Sequence, residues 1–148
     1  KGAKPKPTHL KLLAGNPGKS PLNRNEPRPQ GDLHDAPDWL TDEQKAGWTY
    51  AIASAPAGLM KRLDRSALTA FVVAEDLHRQ ATVAVGKFGL ITKSPSKGEP
   101  MQNPYLPIIN RQAQIMLKAA AELGFTPSSR SRVSVEPGSD RNPFADLG

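Results

Sequence analysis

Three stretches of the chain place apolar residues three and four apart, the spacing of one helix face, between runs that break helices. The first lies in "PDWLTDEQKAGWTYAIA". Thr41 is suited to cap a helix, Gln44 completes a capping box, and Asp42 and Glu43 favour the positive helix end. Trp48 and Ile52 share a face, and the helix should stop before Pro56. A second helix, capped by Asp64, is expected to run without proline to about Phe88 and to close at Gly86 and Gly89. "LITKSPSKGEPMQNP" reads as a loop or weak hairpin. A third helix should span about Tyr105 to Leu123, tolerating Pro107 in its first turn and ending at Gly124. Thr126 and Pro127 are suited to open one more helical turn.

The two longer helices are apolar over more than one face. In the third, Ile109, Ala113, Met116, Ala120 and Leu123 form one stripe and Ile108, Ile115 and Ala119 another. Arg111, Gln114, Lys118 and Glu122 leave only a narrow polar strip. The second helix offers Leu68, Phe71 and Val72 on one side and Val73, Leu77 and Ala84 on others. One stripe closes a small core, and the surplus stripe implies self-association. The expected fold class is all-α: a small helical bundle over residues 38–126, between an extended N-terminal arm (1–37) and a flexible tail (127–148). A body that small buries a modest share of its surface and is marginal alone.

Composition matters chiefly through where the charge falls. The chain carries a formal +6, and residues 1–30 alone carry seven Lys or Arg against Glu26, so the remainder is neutral. Seven of fifteen prolines lie in residues 1–37, which favours an extended arm rather than a packed one. The exception is "THLKLLAG", where Thr8 is suited to cap a helical turn. A basic arm on a neutral body suits an acidic partner, nucleic acid foremost. "LAGNPGKSPL" ends like a phosphate loop, but only Asn16 and Pro17 separate Gly15 from Gly18, and Pro17 lacks an amide N–H. The spacing excludes an ATP-binding loop there.

Catalytic chemistry is not legible. The chain has no cysteine, and His9, His34 and His78 are scattered, so neither a disulfide nor a metal site is expected. Adjacent Glu75 and Asp76 diverge by about 100° on a helix. No apolar run is long enough for a membrane span. The expectation is a non-enzyme without cofactor, in a reducing compartment. The arm contains no aromatic residue for stacking on single strands, so a duplex backbone fits better. Lys61, Arg62 and Arg65 in "MKRLDR" form a second basic patch at the entry to the long helix. The connection between the first two helices is longer than a helix-turn-helix usually has, so a dimeric transcription regulator is the alternative reading. Phe144 and Leu147 in "DRNPFADLG" are spaced like the anchors of a segment that folds on a partner.

In order, "GAKPKPTHLKLLAGNPGKSPLN", "EPRP", "PDWLTDEQKAGW" and "AAAELGFTPSSRSR" resemble the small terminase subunit of tailed bacteriophages, over about residues 2–133. The resemblance implies a DNA-packaging adaptor in the cytoplasm of the infected host. It implies a homo-oligomeric ring of roughly eight to twelve copies, binding double-stranded DNA at a packaging site and regulating a large subunit that carries ATPase and nuclease. Carried onto this sequence, it assigns Lys4, Lys6, Lys11, Lys19 and Arg24 to DNA, with Lys61, Arg62 and Arg65 as secondary contacts. It further implies Arg111 and Lys118 as channel-lining groups and Phe144 and Leu147 as the large-subunit docking segment.

Overall fold

The computed structural model describes residues 29–130, together with Thr8, Gly15, Lys19, Pro21 and Leu22. The described body is mostly helical. Helix α1 spans Asp42–Ser54, a 3-10 turn Arg62–Asp64 leads into α2 (Arg65–Phe88), and α3 spans Tyr105–Glu122. Between α2 and α3 lies a small hairpin of β1 (Ile91–Lys93) and β2 (Pro100–Gln102), antiparallel, with Ile91 opposite Gln102 and Lys93 opposite Pro100. A last turn, α4, spans Pro127–Arg130. The expected helices are present, and the segment left open between loop and hairpin is a hairpin.

The start of α1 follows from its residues. Thr41 Oγ1 accepts from the Gln44 N–H at 3.3 Å, while Gln44 Oε1 accepts from the Thr41 N–H at 3.3 Å, so two N–H groups left over at the helix start are satisfied reciprocally. The start of α2 differs from expectation. Asp64 is not a side-chain cap of α2; its Oδ2 accepts from the Lys61 N–H at 2.9 Å and so closes the preceding 3-10 turn. Gly89 ends α2 at φ 81, a left-handed backbone that residues with Cβ rarely adopt. Asn103 locks the hairpin to both helices. It is fully buried, donates through Nδ2 to the Gly89 carbonyl at 2.6 Å, and accepts the Tyr105 N–H at 3.0 Å at the start of α3.

The core lies at one end of the molecule. Leu33, Leu40, Trp48, Ala51, Met60, Leu68, Val72 and Leu123 form it, with Phe71 and Phe125 meeting edge to face at 5.4 Å. Trp48 is 1% exposed and its Nε1–H donates to the His34 carbonyl at 3.0 Å, so its polar edge is satisfied as its ring is buried. Leu33 reaches this core from a strap just N-terminal to α1. The Leu33 N–H donates to the Met60 carbonyl and the Arg62 N–H to the Gly31 carbonyl, both at 3.0 Å, with Asp32 bridged to Lys61. The rest of the molecule is the antiparallel pair α2–α3, whose buried small residues are Ala74, Ala81 and Ala120.

Candidate functional site

Two surfaces stand out: the basic ground around the strap and the uncovered apolar side of the α2–α3 pair. At the strap, Lys61 and Asp32 form an ion pair at 2.6 Å. The hydrogen bond from Lys61, reinforced by its charge, holds the Asp32 carboxyl below the ordinary carboxylate range. The charge of Lys61 is therefore answered within the chain. Arg62 and Arg65 are exposed and make no ion pair among the described residues. Arg62 also lies along the strap: a Cβ on Gly31 would come within 3.0 Å of Arg62 Nε, and Gly31 has φ 73. Of the arm residues singled out in the sequence, Lys19 is exposed at φ 46. Lys4, Lys6, Lys11 and Arg24 lie outside the described residues, as do Phe144 and Leu147.

The apolar side follows from helix geometry. At 100° per residue, Leu77, Ala84 and Phe88 of α2 fall within about 40° of one another, as do Ile108, Ile115 and Ala119 of α3. With Ala74 and Ala81 turned toward α3, and Ala113 and Ala120 toward α2, both arcs come to the same side of the antiparallel pair. That side faces away from α1, which packs on the Leu68, Val72 and Asp76 side of α2. Phe71 beside Phe125 sets the register, which brings Leu77 to the level of Ile115–Ala119 and Ala84 to that of Ile108–Gln112. Leu77 and Ile115 are each 37% exposed, Ile108 39% and Phe88 55%, so the stripe is open in a single chain. Val73, expected in the outer stripe, is instead drawn partly against the core. Arg111, Gln114, Lys118 and Glu122 are exposed on the side of α3 turned away from α2.

One polar cluster was missed in the sequence. Asp76 is 5% exposed, yet Oδ2 accepts from Gln44 Nε2 at 3.0 Å and Gln80 Nε2 at 2.9 Å, and Oδ1 accepts from Arg79 at 2.7 Å. Burial pushes this carboxyl up, but the Arg79, Gln44 and Gln80 hydrogen bonds together outweigh it and hold the acid below its ordinary value. The i, i+3 and i, i+4 spacing of Asp76 to Arg79 and Gln80 was a readable signal; the link to Gln44, 32 residues away, was not. Gln44 thus serves α1's cap with its oxygen and the α1–α2 seam with its nitrogen. A shallow pocket beside it is lined by Glu43, Val72, Glu75, Asp76 and Arg79, of which Asp76 and Arg79 belong to this network. Among the described residues no group of three or more potential metal ligands gathers, and no helix is long and apolar enough to cross a membrane.

A three-helix body that exposes arginines at the head of its long helix and leaves an apolar side open further along it has the build of a small α-helical protein. The chain belongs to the phage terminase small-subunit family, whose model matches residues 45–140. The match takes in most of α1, all of α2 and α3, and the "LGFTPSSR" block, and leaves the leading basic block outside it. Neither a curated protein nor a solved structure matches the chain. Family membership supports a role in phage DNA packaging.

Proposed function

We propose that this protein is a DNA-packaging adaptor that assembles as a ring, binds double-stranded viral DNA at the packaging site and regulates the ATPase and nuclease of the large terminase subunit. The observation that carries the packaging role is membership of the small-subunit family across the helical body. The open stripe of Leu77, Ala84 and Phe88 with Ile108, Ile115 and Ala119 supports the ring, because an apolar side of this extent on so small a body calls for a partner. In this reading Lys4, Lys6, Lys11, Lys19 and Arg24 of the arm contact phosphates, joined by the patch at Arg62 and Arg65. Arg111 and Lys118, on the strip of α3 opposite α2, line the channel, and Phe144 and Leu147 dock on the large subunit. The chain regulates, and its partner performs the chemistry, in the cytoplasm of the infected host.

The native mass of the purified protein at moderate salt tests the assembly. A single species at roughly eight to twelve times the 15.9 kDa chain is expected. A dimer would favour the helix-turn-helix regulator, and a monomer would remove the ring. Duplex affinity across a salt series tests the arm. Neutralising about five to seven phosphates gives a log–log slope of about −4.5 to −6, and deletion of residues 1–28 should abolish most of it.

A further inference from the structure

We infer that the outward face of α1 packs on the open α2–α3 stripe of a second copy of this chain, with the acidic start of α1 against the lysines at the hairpin end of that stripe; this rests on the self-association proposed above. A closed ring is built from head-to-tail contacts, so each copy must carry two different patches that fit each other. The stripe is one of them, and α1 supplies the other. Gln44, Trp48 and Ala51 are the buried residues of α1. At 100° per residue, Ala46, Tyr50 and Ala53 lie on the opposite side of the helix. All three are exposed, Tyr50 to 75%. From Ala46 to Ser54 the helix carries no charge, whereas a helix facing solvent normally carries charged residues on that side. The acids are confined to its start, where Asp42 and Glu43 are exposed and make no ion pair among the described residues.

The stripe has the matching layout. Its last residue, Phe88, has the Lys87 ammonium 5.3 Å from its ring centroid and shares a groove beside the hairpin with Ile91 and Lys93. Neither lysine makes an ion pair among the described residues. The stripe is therefore basic at its hairpin end and apolar from there to Leu77. The lengths agree as well: Asp42 to Ala53 and Leu77 to Phe88 are each eleven residues apart, about 16 Å of helix. With Asp42 and Glu43 set against Lys87 and Lys93, Tyr50 falls about 12 Å further along. That is opposite the stretch between Ala84 and Leu77, where the small Ala84 leaves room for its ring. Ala46 and Ala53, on either side of Tyr50, let the two helix surfaces approach closely.

The experiment is sedimentation of the full chain over a dilution series, with helical content read alongside. Asp42→Lys with Glu43→Lys, and Lys87→Glu with Lys93→Glu, each set like charges across the contact and should weaken association about tenfold. Combining all four restores opposite charges and should return association to within about threefold of the parent. Tyr50→Asp, at a position open in the single chain, should lower the native mass and leave helical content unchanged. Losses that add in the combined variant, or an unchanged mass with Tyr50→Asp, overturn the inference. If Leu77→Asp still dissociates that assembly, self-association through the stripe stands with another partner surface. A parent chain that is monomeric at every concentration overturns the self-association reading itself.

Discussion

The two ends of the α2–α3 pair are built on different principles. At the end covered by α1, large side chains interlock: Trp48, Leu68, Val72, Met60 and Leu123 are all buried, and the polar atoms among them are satisfied. Toward the hairpin, alanines bring α2 and α3 together while Leu77, Phe88, Ile108 and Ile115 stay open. The same helix is thus core at its start and surface at its end. Stability of the single chain should reside in the first region, and association in the second.

The largest effect that would test this division is at Trp48. Trp48→Ala removes a ring that is 1% exposed and strands the His34 carbonyl it serves. It should cost about 3–5 kcal/mol, read by chemical denaturation. A cost under about 1 kcal/mol would mean that the α1 end does not hold the fold, and the comparison would collapse.

Next in size is the open region. Leu77→Asp or Ile115→Asp places a charge in the exposed stripe, and each should weaken association by about 2 kcal/mol, about thirtyfold, driving the native mass toward the monomer. Helical content should persist, because both side chains are more than a third exposed in the single chain. An unchanged mass would show that this side is not an interface between copies.

In both regions the local features were legible in the sequence and the long-range contacts were not. The helix bounds were legible, because Thr41, Gln44, Pro56, Gly89 and Gly124 are local signals whose effects span only a few residues. The open stripe was legible too, since Leu77, Ala84, Ile108 and Ile115 follow helical periodicity whatever packs on them. What escaped was every contact between distant segments. Asp32 with Lys61, Gln44 with Asp76, and Asn103 with Gly89 join residues 14 to 32 apart, and no spacing rule reaches across them. Asp64 shows the limit even nearby, its side chain serving the 3-10 turn in place of the following helix. At the candidate DNA site, composition identified the cations but could not separate Lys61, held by Asp32, from Arg62 beside it.

Asp76 sharpens the comparison at the seam between α1 and α2. Asp76→Asn keeps the shape but loses the charged acceptor for Arg79 and leaves imperfect partners for Gln44 and Gln80, at a cost of about 1–3 kcal/mol. The sign of the pH effect follows from the depressed folded value. The contribution is fully present above the unfolded value, about 3.9, and is lost as pH falls through the lower folded value. Parent stability should therefore fall more steeply below about pH 4 than that of the variant. Parallel acid limbs would show that the carboxylate does not bind the seam.

The smallest effect separates the regions by one substitution made in each. Gly47 lies inside α1, and a Cβ there would come to 3.3 Å from Glu75 Oε2 and 3.7 Å from Val72 Cγ1. Gly86 lies inside α2 with nothing within 4 Å of a Cβ. Helix propensity alone favours Ala over Gly by about 0.8–1 kcal/mol at either position. Gly86→Ala should realise most of that gain. Gly47→Ala should realise less, because the Glu75 carboxylate must move aside, though its far end is exposed and flexible. Thermal unfolding of the two variants reads the difference directly. Equal gains would mean that the α1–α2 seam is no tighter than open helix surface; a smaller gain at Gly47 measures how closely the first region is packed where the second is not.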